Sequence, residues 1–378
     1  MNFLPRALCA FLVATSAVFA QRSDEPELED YVPVVEDDLV VYVPKNAVRL
    51  GFRGLTGAIS GFSGQGLVSD PDVQLGADTG IERRQYHDGG VGLDTRTMID
   101  PSGTQVPITP DGRTNNWAFF DQSQATPDGL IAMHAYSARV TDSAVREDDP
   151  GLALGVEVAT EREFGNVFGT RMKWGVVGGV SINQILATTK SEVQADITTI
   201  TDYYSLGGQA APTAPYDPTS TNPTLLWSEL LGRLTETNGS LTAVVNEWKL
   251  RGAYMTFRAG PTLLLPITKR FSATISAGGV MVYAGSTYEV KQTFAPATGA
   301  EIVQEMMSNE SVFLPGFYVD ANLQFDFTDN AGLYLGGVYQ SSGDYTQEAS
   351  TANGESVYKA RVDLASLQGI RAGVTFKF

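Results

Sequence analysis

The sequence predicts a single closed antiparallel β-barrel that spans a membrane, running from about residue 47 to Phe378. Three observations predict it: long stretches in which apolar and polar residues alternate, no apolar run after residue 20 long enough for a membrane helix, and no cysteine after Cys9. A membrane helix needs about 20 consecutive apolar residues. A closed sheet is the other structure that pairs every backbone N–H and C=O within hydrocarbon. Without disulfides or thiolate metal sites, hydrogen-bonded sheet is the natural source of stability after export.

Taken in order, residues 1–20 read as a cleaved signal peptide. Arg6 precedes the apolar run from Ala7 to Val13, and Val18-Phe19-Ala20 offers small residues for cleavage before Gln21. Residues 21–46 follow as a flexible periplasmic leader, because Asp24, Glu25, Glu27, Glu29, Asp30, Glu36, Asp37 and Asp38 leave too little apolar surface to order it. The whole chain carries 26 Lys and Arg against 43 Asp and Glu, a formal net charge of −17. That balance argues against a nucleic-acid partner.

Alternation then marks ten strands, near 47–57, 113–122, 129–141, 150–162, 169–187, 249–265, 270–292, 311–327, 331–347 and 358–378. An even number places both ends of the barrel on one side and lets the first strand pair antiparallel with the last. Segment 73–87 reads as a loop excursion, so the expected count is about ten within a range of eight to twelve. The clearest strand is 311–327, where Phe313, Phe317, Val319, Ala321, Leu323, Phe325 and Phe327 share one face and Tyr318, Asp320, Asn322, Gln324 and Asp326 the other. In the last segment Tyr358, Ala360, Val362, Leu364, Ile370, Ala372, Val374, Phe376 and Phe378 all fall on even positions. The Thr-, Pro- and Gly-rich stretch 189–248 reads as one long extracellular loop. Within it, Leu226, Leu230 and Leu234 at helical spacing predict a short helix over 223–236, either a lid, a plug or a rim-packed element.

The last eight residues, from Arg371 to Phe378, resemble the terminal strand of bacterial outer-membrane β-barrel proteins. Arg371, Gly373, Phe376 and Phe378 stand at the polar, glycine, apolar and final aromatic places of that superfamily's pattern. The resemblance implies recognition by the barrel assembly machinery and insertion among the lipids of the outer membrane of a two-membrane, Gram-negative cell. It names no specific porin, transporter or enzyme.

If the apolar parity faces lipid, the inward set is Arg49, Arg53, Glu157, Glu161, Arg171, Lys173, Tyr254, Arg258, Asp320, Asn322, Asp326, Arg361, Asp363 and Arg371. Glu161 and Arg171 flank a short turn and are expected to face each other. Charges of both signs allow two readings, a narrow lumen packed with ion pairs or a small pore admitting small solutes. The function expected is therefore an outer-membrane barrel with a structural or small-solute pore role, the alternative being a non-conducting barrel that binds or adheres through 189–248. Trp117, Trp174 and Trp248 are read as girdle residues at the membrane interface. No enzyme, cofactor or metal site is expected: a barrel enzyme would have only His87 and His134 as imidazole bases, and Glu147-Asp148-Asp149 lacks the spacing of a calcium loop.

Overall fold

The computed structural model describes residues 45–76, 83–217 and 223–378. The expected signal peptide and all but the last residues of the acidic leader lie outside them. Twelve strands build the barrel: β1 (Asn46–Thr56), β2 (Ile59–Ser69), β3 (Leu130–Val140), β4 (Ala153–Asn166), β5 (Lys173–Ser205), β6 (Gly232–Pro266), β7 (Phe271–Phe294), β8 (Ile302–Asp326), β9 (Ala331–Ser341), β10 (Asp344–Ser350), β11 (Val357–Asp363) and β12 (Leu367–Lys377).

In the lower half, β1 pairs with β4, β4 with β5, and the ladder continues through β6, β7, β8, β9 and β12 back to β1, every pair antiparallel. Eight strands therefore close on themselves. Following the register once around leads from Lys173 through Leu264, Thr274, Asn322, Gly336, Arg371, Arg53 and Gly155 to Asn183 on the starting strand, a displacement of ten residues. With ordinary strand spacing and rise, that shear tilts the strands by about 40°.

In the upper half the same wall continues. β2 extends β1, β3 precedes β4, β10 extends β9 and β11 precedes β12, while β5 to β8 run unbroken; β2 pairs with β11 and β3, β3 with upper β5, and β10 with β11. The barrel is thus one up-and-down wall of eight members, four of them interrupted at mid-height. At the break between β1 and β2, Gly57 has φ +89°, and a Cβ there would meet Ser366 O at 2.3 Å. Only glycine fits both demands. Short turns at 167–172, 267–270 and 327–330 lie at the end holding both barrel termini, where the Asn46 and Phe378 backbones exchange hydrogen bonds of 3.1 and 2.9 Å. The described residues of the connections 70–129 and 206–231, and the connections 295–301 and 351–356, lie at the other.

Polarity inverts along the unbroken strands while parity does not. Inward along β7 come Ser272, Thr274 and Ser276, then Val280, Val282, Ala284, Tyr288 and Val290, all buried. Outward, Phe271, Ile275 and Met281 are exposed, followed by Thr287, Glu289 and Lys291. The lower half is thus apolar outside and polar inside, as a bilayer requires; the upper half has an apolar core of some thirty side chains, as water requires.

The sequence reading differs from this architecture in several places. The wall has eight members, the lower bound of the expected eight to twelve, because 129–141 and 150–162 are halves of one member and 113–122 supplies only the short strands Arg113–Thr114 and Trp117–Phe119 outside the wall. No helix forms over 223–236. Leu226–Trp227 is a short strand and β6 begins at Gly232; Leu231 and Leu234 are 64% and 45% exposed, so the leucine spacing builds no shared buried face. The expected loop 189–248 is mostly wall, since β5 and β6 stay paired from Thr189↔Trp248 to Tyr203↔Gly232. Its outer face meets water, so it carries the polar residues of a loop.

Candidate functional site

Inward parity on five lower strands brings a charged cluster into the barrel interior. Glu157 Oε1 accepts from Arg258 Nη2 and meets Arg371 Nη2, each at 3.1 Å; Asp320 Oδ2 accepts from Arg371 Nη1 at 2.9 Å and from Arg258 Nη1. One layer nearer the short-turn end, Arg49 pairs with Glu161 at 2.7 Å. Arg53 donates to Ser181 Oγ at 2.6 Å and Gln340 Oε1 at 3.1 Å, and lies 3.8 Å from Glu157 Oε2. Asn322 donates to Asp320 and Thr274. Glu157, Arg258, Asp320 and Arg371 stand on the alternate strands β4, β6, β8 and β12, so their contacts cross the interior, whereas Arg49 and Arg53 reach Glu161 and Glu157 on the strand paired with their own. All seven charged groups are at most 5% exposed, and Tyr254 and Asn322 are buried beside them.

Three arginines also lie over phenol rings: Arg258 over Tyr318 at 5.1 Å, Arg371 over Tyr334 at 5.5 Å and Arg49 over Tyr334 at 5.8 Å. Gly51 makes the Tyr334 placement possible, since a Cβ there would stand 2.2 Å from the tyrosine hydroxyl. Ser181, Asn183, Gln340 and the two tyrosines share the inward parity of the charges. Tyr318 was legible in the sequence on one face with Asp320 and Asn322, whereas Ser181 and Asn183 were not, because neutral polar residues mark a face less clearly than ionised ones.

Other expected inward residues lie elsewhere. Arg171 is exposed in the turn 167–172, and Glu161 meets Arg49 instead. Lys173 pairs with Glu163 at 2.7 Å, and Asp326 with Lys377 at 2.6 Å, both at the short-turn rim. Arg361 and Asp363 stand on β11, on the outer side of the upper wall, where Arg361 bonds Asp344 at 2.8 Å. The break at 364–366 explains them: even positions face inward on β11 and outward on β12. In the terminal strand Arg371 points inward, Gly373 packs backbone to backbone on Gly51, and Phe376 and Phe378 face outward.

A cap built from residues 84–86, 89–91 and 117–119 packs at the long-loop end on the face of β3 and β5 that carries Ile131, Met133 and Tyr204, opposite the face of the inward Ala138 and Ala195, with Tyr86, Val91, Trp117, Phe119, Tyr216 and Leu226 completing its core. Asp202 anchors it, accepting from Arg233 at 2.7 and 2.8 Å and from the Tyr86 hydroxyl at 2.5 Å. Burial, with Tyr204 and Asp202 nearby, pushes the Tyr86 phenol far above its ordinary range. The two histidines also meet here. Asp88 accepts from the His134 backbone at 2.7 Å and bonds its ring at 2.5 Å, while His87 Nδ1 accepts from the Tyr136 backbone at 3.0 Å. Thr298, from the 295–301 connection, joins Asp88 and Tyr136.

The similar solved structures include bacterial outer-membrane proteins. They include Ail, the attachment invasion locus protein of Yersinia pestis, at 10% identity and a TM-score of 0.23, covering 89% of this chain and 100% of that one. OprG from Pseudomonas aeruginosa has 11% identity and a TM-score of 0.27, covering 89% and 96%. A FadL homologue from the same organism has 8% identity and a TM-score of 0.19, covering 88% and 90%. No family model and no curated protein sequence matches the chain.

Aromatic placement completes the site. Trp174, beside Phe164 at 4.8 Å, is outward at the short-turn edge of the apolar band. Trp117 is instead buried in the cap and Trp248 inside the upper barrel, so two of the three expected girdle tryptophans are core residues. At the upper edge the outward row Ile182, Met255, Tyr283 and Phe313 ends the band. Eight residues higher along each strand, Lys190, Glu247, Lys291 and Glu305 form a row of alternating charge that suits water.

Proposed function

We propose that the chain is a non-conducting outer-membrane barrel whose lower half is a membrane anchor and whose capped upper half is a surface-exposed binding or adhesion platform. The observation carrying this reading is the charged cluster: in an eight-stranded barrel, whose interior side chains can just fill, Glu157, Arg258, Asp320 and Arg371 from four alternate strands pair across the lumen. An apolar core above them adds a second seal. The described residues of the cap connections, 70–76, 83–129, 206–217 and 223–231, are the candidate binding surface, taking the place of the longer 189–248 segment. On this reading residues 1–20 direct export, and the terminal strand with Arg371, Gly373, Phe376 and Phe378 engages the assembly machinery.

Planar-bilayer recording on the refolded protein, beside a gel test for heat-modifiable migration, tests the seal. Heat-modifiable protein that gives no current steps is the expected result. Reproducible ohmic steps from the unmodified chain would overturn it and restore the small-solute pore.

A further inference from the structure

The end of the barrel that holds the short turns is basic on one side, in a chain whose formal net charge is −17. Lys173 and Lys377 are neutralised there by Glu163 and Asp326. Lys45, Arg162, Arg171, Lys269 and Arg270 are not: each is exposed, and none has an ion-pair partner among the described residues. They form one arc. The Glu163 amide donates to the Lys45 carbonyl at 2.8 Å, which sets Lys45 beside Arg162, and Arg171 lies in the β4–β5 turn. Because β5 pairs with β6 at Lys173↔Leu264, the β6–β7 turn with Lys269 and Arg270 comes next along the rim. Opposite the β4–β5 turn, residues 327–330 carry Asp329 and no base.

Arg162 shows what the arc faces. The even positions of β4 point outward, with Leu154, Val156 and Val158 exposed, so Arg162 stands on the lipid-facing side of the wall. Its cross-strand neighbours are Asn46 and Val176, and its guanidinium lies over the Phe164 ring at 5.9 Å. Phe164 in turn meets Trp174 at 4.8 Å, at the edge of the apolar band. A charge on the outer face of a membrane wall is tolerated near the interface, where a long side chain reaches the headgroup layer. There the planar fork of a guanidinium matches a phosphate. The same turn exposes Phe168 completely, an apolar surface that water opposes and the boundary between headgroups and acyl chains accepts. Unpaired bases beside exposed aromatics select an amphiphile with an anionic head, since a zwitterionic lipid brings a cation of its own.

We propose that Lys45, Arg162 and Arg171, with Phe164, Phe168 and Trp174, form a site for the headgroup of an anionic phospholipid in the leaflet at the short-turn end. Lys269 and Arg270 extend it along the rim. The proposal rests on the lower half being a membrane anchor and gives that anchor a preferred lipid.

Quenching of Trp174 by brominated lipid tests it, because Trp174 is outward on the wall whereas Trp117 and Trp248 are buried. The refolded full chain is placed in nanodiscs of phosphatidylglycerol and phosphatidylcholine in equal proportion, with bromine on the acyl chains of one lipid or the other. Trp174→Phe supplies the background from the remaining tryptophans. The expected result is stronger quenching by brominated phosphatidylglycerol, equivalent to a several-fold preference. That preference should fall toward parity in the double variant Arg162→Gln/Arg171→Gln and at high salt, and stay unchanged in Arg361→Gln on the upper wall. Equal quenching by the two lipids in the parent, or an undiminished preference in the double variant, would overturn the proposal and leave the anchor in place. No quenching by either lipid would overturn both. If the double variant does not refold, the parent decides: a preference that high salt leaves intact counts against the basic arc.

Discussion

Glu157 serves three arginines at once, and that makes it the residue whose loss the barrel should feel most. Changing it to Gln removes one of two carboxylates between Arg258 and Arg371 and the nearest negative charge to Arg53, leaving buried guanidiniums facing one another. Removing one partner of a buried ion pair costs about 3–5 kcal/mol, much of it the penalty of the charge left behind. Glu157→Gln should therefore unfold at markedly lower urea than the parent in detergent, whereas Glu305→Gln, at the exposed end of the outer charge row, should change the midpoint little. Indistinguishable midpoints for the two variants would show that water already screens the interior. The position of Glu157 was readable from parity, because β4 crosses only the lower wall and keeps one polarity throughout. Arg361 was misread for the converse reason. Parity and polarity both reverse between β11 and β12, so the even positions from Tyr358 to Phe378 look like one face when they are two.

At the level of elements, the lower wall was legible because lipid outside and charge inside give the strongest possible alternation. The upper wall was not, because its outer face is threonine-, serine- and glutamate-rich and only the register of its partners reveals it as strand. The cap illustrates the same limit: residues 87–88 are a turn in sequence, yet in the fold they cover the free edge of β3. His87 Nδ1 accepts the Tyr136 amide, an interaction that only the unprotonated ring can make. Burial lowers the His87 pKa below its ordinary 6.5, opposed by Asp70 and Asp88. The unfolded chain then binds the proton more readily than the folded one, so stability is unaffected well above pH 6.5 and falls as the pH drops below it. Hydrogen exchange at the Tyr136 amide should accelerate between pH 7 and 5 beyond the intrinsic chemical trend, and His87→Asn, which retains an acceptor but not the proton, should remove that excess. An unchanged pH dependence in the variant would mean that another group controls this edge.

For the whole molecule, the wall is much taller than the band that suits lipid. β6 has 35 residues, about 115 Å along the strand at roughly 3.3 Å per residue, whereas a tilted membrane strand needs about 9–11 residues. The excess lies entirely on the side of the connections 70–129, 206–231, 295–301 and 351–356, the first two of which are long. Barrels of this kind keep short turns toward the periplasm and long loops outward, so the capped half should stand on the cell surface. An epitope placed at Gly354 suits one side of the test, because that glycine sits in the 351–356 connection with φ +73° and nothing within 4 Å of a notional Cβ. A second epitope, between Thr328 and Asp329, marks the opposite end. Antibody should label intact cells carrying the Gly354 epitope, and should reach the Thr328 epitope only after the outer membrane is permeabilised. The reverse pattern would invert the molecule, placing the cap and its histidine cluster in the periplasm, where a surface-binding role is impossible.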